Sequence, residues 1–164
     1  MPEHDRTEDY LEAGPKRLAD ARELLQPPTL DSRAADAGHR HLRGAAYLAG
    51  YAVECALKAY IISSAPRSRT FTEAVAHLPI AQGAVLDFRG ARSHNLLLLL
   101  QATDLDERMG ADFRLRAFWR VCLKWSPVWR YDPKHLTSRS QAEEIVEAAA
   151  AVHEWINDQR RQLT

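Results

Sequence analysis

With 164 residues, 46% hydrophobic and 27% charged, the chain is long enough to bury one core without covalent staples and has the composition of an ordinary globular domain. Its 22 basic and 22 acidic side chains cancel, so no global field draws it to nucleic acid or membrane, and any such affinity has to come from a local patch. Cys55 and Cys122 lie far apart in apolar surroundings without a CxxC motif, which excludes a disulfide framework and suits a reducing cytoplasm.

The opening MPEHDRTEDY is polar and acidic, unlike a signal peptide, and residues 1–6 are expected to form a flexible tail. A first helix is predicted over Thr7–Leu25, with Leu11, Leu18, Ala21, Leu24 and Leu25 on one side. Gly14-Pro15 either kinks it or marks its true start, and QPPT ends it. A longer helix is predicted over Ser32–Ser63. Its middle, AAYLAGYAVECALKAYII, is apolar nearly all the way round, as expected at the centre of a bundle. The apolar run around AAYLAGYAV is too short to span a bilayer, and no membrane segment is expected.

TFTEAVAHLP reads as a short helix with Thr70 and Glu73 spaced as a capping box. SHNLLLLLQATD reads as another, opened by a Ser93 cap and buried on most sides. ADFRLRAFWRVCLKW is a stronger helix, with Leu115, Phe118, Cys122 and Trp125 on one flank. The loop WSPVWRYDPKHLTS follows. A last helix is expected to start at a Ser140–Glu143 capping box, with Ile145, Ala148, Val152, Trp155 and Ile156 at helical spacing and Arg160 and Arg161 suiting its dipole. No stretch alternates strictly, so no sheet is expected. The chain reads as a single all-α domain over 1–164, a bundle of about five helices.

Two places set an arginine and a histidine with four residues between them. In the loop these are Arg130 and His135. The histidine would exchange protons with a 2′-hydroxyl or a leaving oxygen, and the arginine would offer forked donors to a phosphate. Pro133 interrupts the helix that would put both on one face; otherwise Arg130 and Tyr131 fix an elbow, with Arg130 stacked on Trp125 or Trp129 or paired to a carboxylate. The second match, Arg89 and His94, is the weaker catalyst, and His94 is expected to pack beneath the leucine run and hydrogen-bond the backbone. Glu54 and Lys58 read as a structural ion pair or interface contact before a buried acid and base. Arg116, Arg120 and Lys124 follow Asp112 in an i,i+4 ladder. This is either a basic stripe that tracks a phosphate backbone, with Arg130 at its end, or a solvated face covering Trp119. The four tryptophans are expected in the core and on a dimer surface. No Walker, GxGxxG, HExxH, GxSxG or paired-cysteine motif occurs, so neither a metal nor a cofactor is expected.

YLAGYAVECALKAY, SHNLLLL and WRYDP resemble, in order and spacing, three elements of the HEPN (higher eukaryotes and prokaryotes nucleotide-binding) domain family. These are an aromatic–small helix carrying Glu and then Lys four residues on, a His-x-Leu-x-x-Leu helix opening, and an Arg-Tyr loop before the last helix. The resemblance implies a HEPN-like up-and-down helical bundle of about four to five helices, often a homodimer, encoded beside a minimal nucleotidyltransferase in toxin–antitoxin or defence pairs. It implies RNA as the ligand, with Arg130 and His135 as candidate catalytic residues of a metal-independent endoribonuclease, Arg89 and His94 as the alternative, and Arg116, Arg120, Lys124 and Tyr131 as RNA or phosphate contacts. The alternative is a non-catalytic subunit that binds a nucleotide or scaffolds a partner nucleotidyltransferase. Either protein is expected to be cytoplasmic.

Overall fold

A computed structural model describes residues 5–26, 35–65, 67–78, 88, 90–130 and 138–163, giving the backbone alone for 35–40 and 130. Among these residues the chain is all-helical. Seven α-helices follow in order: α1 (Thr7–Leu24), α2 (Ala35–Ser64), α3 (Phe71–Ala76), α4 (Leu96–Gln101), α5 (Leu105–Met109), α6 (Phe113–Cys122) and α7 (Arg139–Arg161). Two 3₁₀ turns, Gly90–His94 and Pro127–Arg130, precede α4 and follow α6. The count exceeds five because short connecting stretches coil into helices of five or six residues, α5 unanticipated among them.

Helix α2 is the axis of the fold. Helices α1 and α7 pack along it, α3 and α4 contact it, and α6 packs on α7. Every residue from 52 to 62 is buried, as its all-round apolar pattern requires. Over His41–Ser64 this helix is long and apolar enough to cross a membrane, beyond what its shorter apolar run suggests, but 83% of its most apolar window is buried inside the bundle. Burial by neighbouring helices accounts for the composition. Both cysteines are buried, and burial pushes each thiol up to about 12, so neither is a nucleophile at neutral pH.

Three helix starts depart from expectation. Helix α1 runs unbroken through Gly14-Pro15, with Pro15 on its exposed side. Gly14 is needed for packing: a Cβ there would come 2.7 Å from Nε2 of His153 on α7. Helix α4 is capped by Asn95, whose side chain accepts from Leu98 N–H at 3.1 Å, because Ser93 is occupied inside the 3₁₀ turn, donating to the Gly90 carbonyl. Helix α7 is opened by a reciprocal Ser138–Gln141 box, two residues before the predicted Ser140–Glu143 pair of the same spacing. The Thr70 cap of α3 forms as predicted, but Glu73 returns its carboxylate to Arg69 N–H.

Asp5 and Arg6, within the expected tail, are tied down. Arg6 bridges to Thr70, the Asp5 carbonyl accepts from Phe71 N–H, and the Asp5 carboxylate accepts from the Thr72 amide and hydroxyl and from the Tyr10 hydroxyl.

Trp125 is buried beyond the end of α6, its ring against Gly50 of α2 and its indole N–H donating to the Tyr47 carbonyl at 3.0 Å. A Cβ on Gly50 would lie 2.2 Å from that ring. Gly50→Ala is therefore expected to lower stability by about 1–3 kcal/mol through overpacking, read as a lower urea midpoint. An unchanged midpoint would show that Trp125 moves aside freely.

His153 is buried, and burial and then the nearby Arg22 charge hold its imidazolium pKa down at about 4, against an ordinary 6.5. The unfolded chain therefore binds this proton first. Its contribution is complete above pH 6.5 and declines as pH falls through 6.5 towards 4, on the order of 3 kcal/mol in all. His153→Gln should flatten the fall in urea midpoint between neutral pH and about pH 4.5.

Candidate functional site

Glu54 and Lys58 stand one turn apart on α2 and point into the bundle, with side-chain exposures of 1% and 7%. Nζ of Lys58 lies 2.8 Å from Oε1 of Glu54 and sits over the rings of Tyr10 and Phe71, 5.4 and 5.1 Å from their centres. A carboxylate this deep needs such a partner, since desolvating an unpaired charge is strongly unfavourable.

A third residue completes the cluster. Gly90, at φ +58, takes the left-handed conformation that starts the 3₁₀ turn, and the Asn95 cap fixes the start of α4, so that His94 is held between them. Nδ1 of His94 lies 2.8 Å from the same Oε1, while the His94 side chain remains 42% exposed. The sequence reading is corrected here: His94 bonds the Glu54 carboxylate across the bundle and not the backbone. Oε2 of Glu54 is buried without a hydrogen-bond partner among the described residues.

His94 faces a cleft of about 770 Å³ lined also by Arg17, Tyr47, Tyr51, Glu54 and Pro127. The rings of Tyr47 and Tyr51 are within 6° of parallel, with centres 6.4 Å apart. Burial first, then the neighbouring Cys55 thiol and the Glu54 carboxylate, pushes the Tyr51 phenol up to about 12, so it keeps its proton at neutral pH. The Arg17 guanidinium lies 6.0 Å from the Tyr51 ring centre and 3.3 Å from Asp20. The cleft therefore offers a cation, aromatic faces, phenolic donors and an imidazole. That set suits a phosphate-bearing ligand with a planar ring.

The sequence candidates fall unevenly around this cleft. Pro127 and Val128 form one wall, and their 3₁₀ turn ends at Arg130, whose side chain lies outside the described residues, as do Arg89, Tyr131 and His135. Arg116 and Arg120 are exposed on α6, and Lys124 lies past its end; none of the three lines the cleft. Arg116 approaches Asp106 at 3.9 Å, and Asp112 is engaged as the α6 cap. Among the described residues no group of three or more His, Cys, Asp or Glu could hold a metal ion. Sequence reasoning missed Arg17, one of several polar positions on α1, which only the fold carries into the cleft.

No family model matches the chain, and no curated protein or solved structure matches it either. The reading of function therefore rests on the residues themselves.

Proposed function

We propose that the protein is a HEPN-like up-and-down bundle that binds RNA in the cleft between Arg17 and His94 and cuts it by metal-independent proton transfer. The clasp between Nδ1 of His94 and the buried Glu54 carboxylate carries this reading. A proton-transfer histidine needs one nitrogen fixed by a hydrogen bond and the other available to the substrate. With Nδ1–H donating to Glu54, Nε2 accepts the proton of a ribose 2′-hydroxyl. The 2′-oxygen bonds to the adjacent phosphorus, the bond from phosphorus to the 5′-oxygen breaks, and the proton passes from Nε2 to that leaving oxygen. The products are a 2′,3′-cyclic phosphate and a 5′-hydroxyl. Arg17 is the cation for the phosphate charge.

The three sequence elements resembling HEPN domains support placing this chemistry in a cytoplasmic homodimer that works with a minimal nucleotidyltransferase in a toxin-like or defence pair. A second reading, a non-catalytic subunit that binds one nucleotide, is favoured by the parallel Tyr47 and Tyr51 rings with Arg17 beside them.

Purified protein incubated with single-stranded RNA in excess EDTA is expected to yield cyclic-phosphate ends, lost in His94→Ala and kept in His135→Ala. Loss in His135→Ala alone moves the chemistry to the loop after Trp125. Saturable nucleotide binding without cleavage supports the second reading.

A further inference from the structure

Lys58 does not line the cleft, yet its ammonium decides what His94 can present there. An ammonium has donors and no acceptor, so the atom it touches must be an acceptor. That atom, Oε1 of Glu54, is also the one 2.8 Å from Nδ1 of His94. A ring nitrogen facing an obligate acceptor carries the hydrogen, which leaves the lone pair on Nε2.

We propose that Lys58 is a positioning residue: acting through Glu54, it holds His94 in the tautomer with the hydrogen on Nδ1 and the lone pair on Nε2. The catalytic consequence rests on the proposed role of His94; the tautomer itself does not. Three features make Lys58 the controlling group. Its cage of Tyr10 and Phe71 fixes the ammonium in one place. Oε2 of Glu54 has no partner among the described residues, so among them the carboxylate is held at Oε1 alone, by Lys58 and by His94 itself. Glu54 is buried, and an acid buried without a cation beside it favours its neutral form, whose O–H can donate to Nδ1 and reverse the tautomer.

The test compares ring ¹⁵N shifts of His94, assigned by loss of its signals in His94→Gln, at about pH 8.5, where an ordinary imidazole is neutral. The variants are Lys58→Met and the neutral pair Glu54→Gln/Lys58→Met. The second keeps side-chain volume without a buried charge and carries the test should the first not fold. Wild type is expected to show the hydrogen on Nδ1 alone. In the double variant nothing sets which end of the introduced amide faces the ring, and a tautomer mixture is expected, with RNA-cleavage kcat lowered by the fraction in the wrong tautomer, about twofold for an equal mixture, and KM little changed. A pure Nδ1–H tautomer in either folded variant overturns the inference, as does an Nε2–H tautomer in wild type. Tautomers that change as expected in a protein that cuts no RNA leave the positioning role standing and refute the proposed activity. Cleavage with one tautomer throughout does the reverse.

Discussion

Lys58→Met is expected to cost the fold about 3–5 kcal/mol, the range for removing one partner of a buried pair, because Glu54 must then either stay charged without its cation or take up a proton to fold. A domain of this size has roughly 5–15 kcal/mol in total, so the loss is a large fraction of its stability. Glu54→Gln in the same chain is expected to return most of it, since the neutral pair leaves no isolated charge in the core. A double-mutant cycle in urea would show this as strong coupling between the two positions. The exposed pair of Lys16 and Glu12 is the internal comparison: it has the same i,i+4 spacing with side chains about two-thirds exposed, and its coupling should be within about 1 kcal/mol of zero. Equal coupling at both sites would mean that water reaches Glu54.

His94→Gln is expected to lower kcat for RNA by about 10²–10⁴, the range for losing a positioned proton-transfer group. Its KM should change little, because Arg17 and the tyrosines remain to hold the strand. The glutamine amide can still donate to Glu54, so the urea midpoint should stay close to wild type, and the two readouts separate chemistry from folding. A tenfold or smaller fall in kcat would place the proton transfer elsewhere, with His135 the next residue to replace.

The helical class and the central helix are legible in the sequence because both follow from local periodicity. The all-round apolar face of 45–62 has no stable place except among other helices. Caps are less legible. Ser138–Gln141 and Ser140–Glu143 satisfy the same spacing rule, and only the backbone path decides between them. Ser93 and Asn95 compete in the same way, and the hydroxyl is lost to a turn. The cleft is the least legible feature. Glu54 and Lys58 are visible as a pair, and His94 is visible as a helix opener, but 40 residues separate Glu54 from His94 and no pattern joins them. Arg17 carries no signal of its own.

The Asp5 clasp has a consequence for the order in which the protein opens and closes. A six-residue helix cannot hold itself together in water. In the first turn of α3 the Phe71 and Thr72 N–H groups donate to Asp5, which lies 67 positions before Thr72, and Phe71 of the same turn covers Lys58. Helix α3 therefore forms only once the chain's beginning has docked. In native-state hydrogen exchange the amides of α3 and the segment around Asp5 should behave as one cooperative unit, opening well before the amides in the middle of α2.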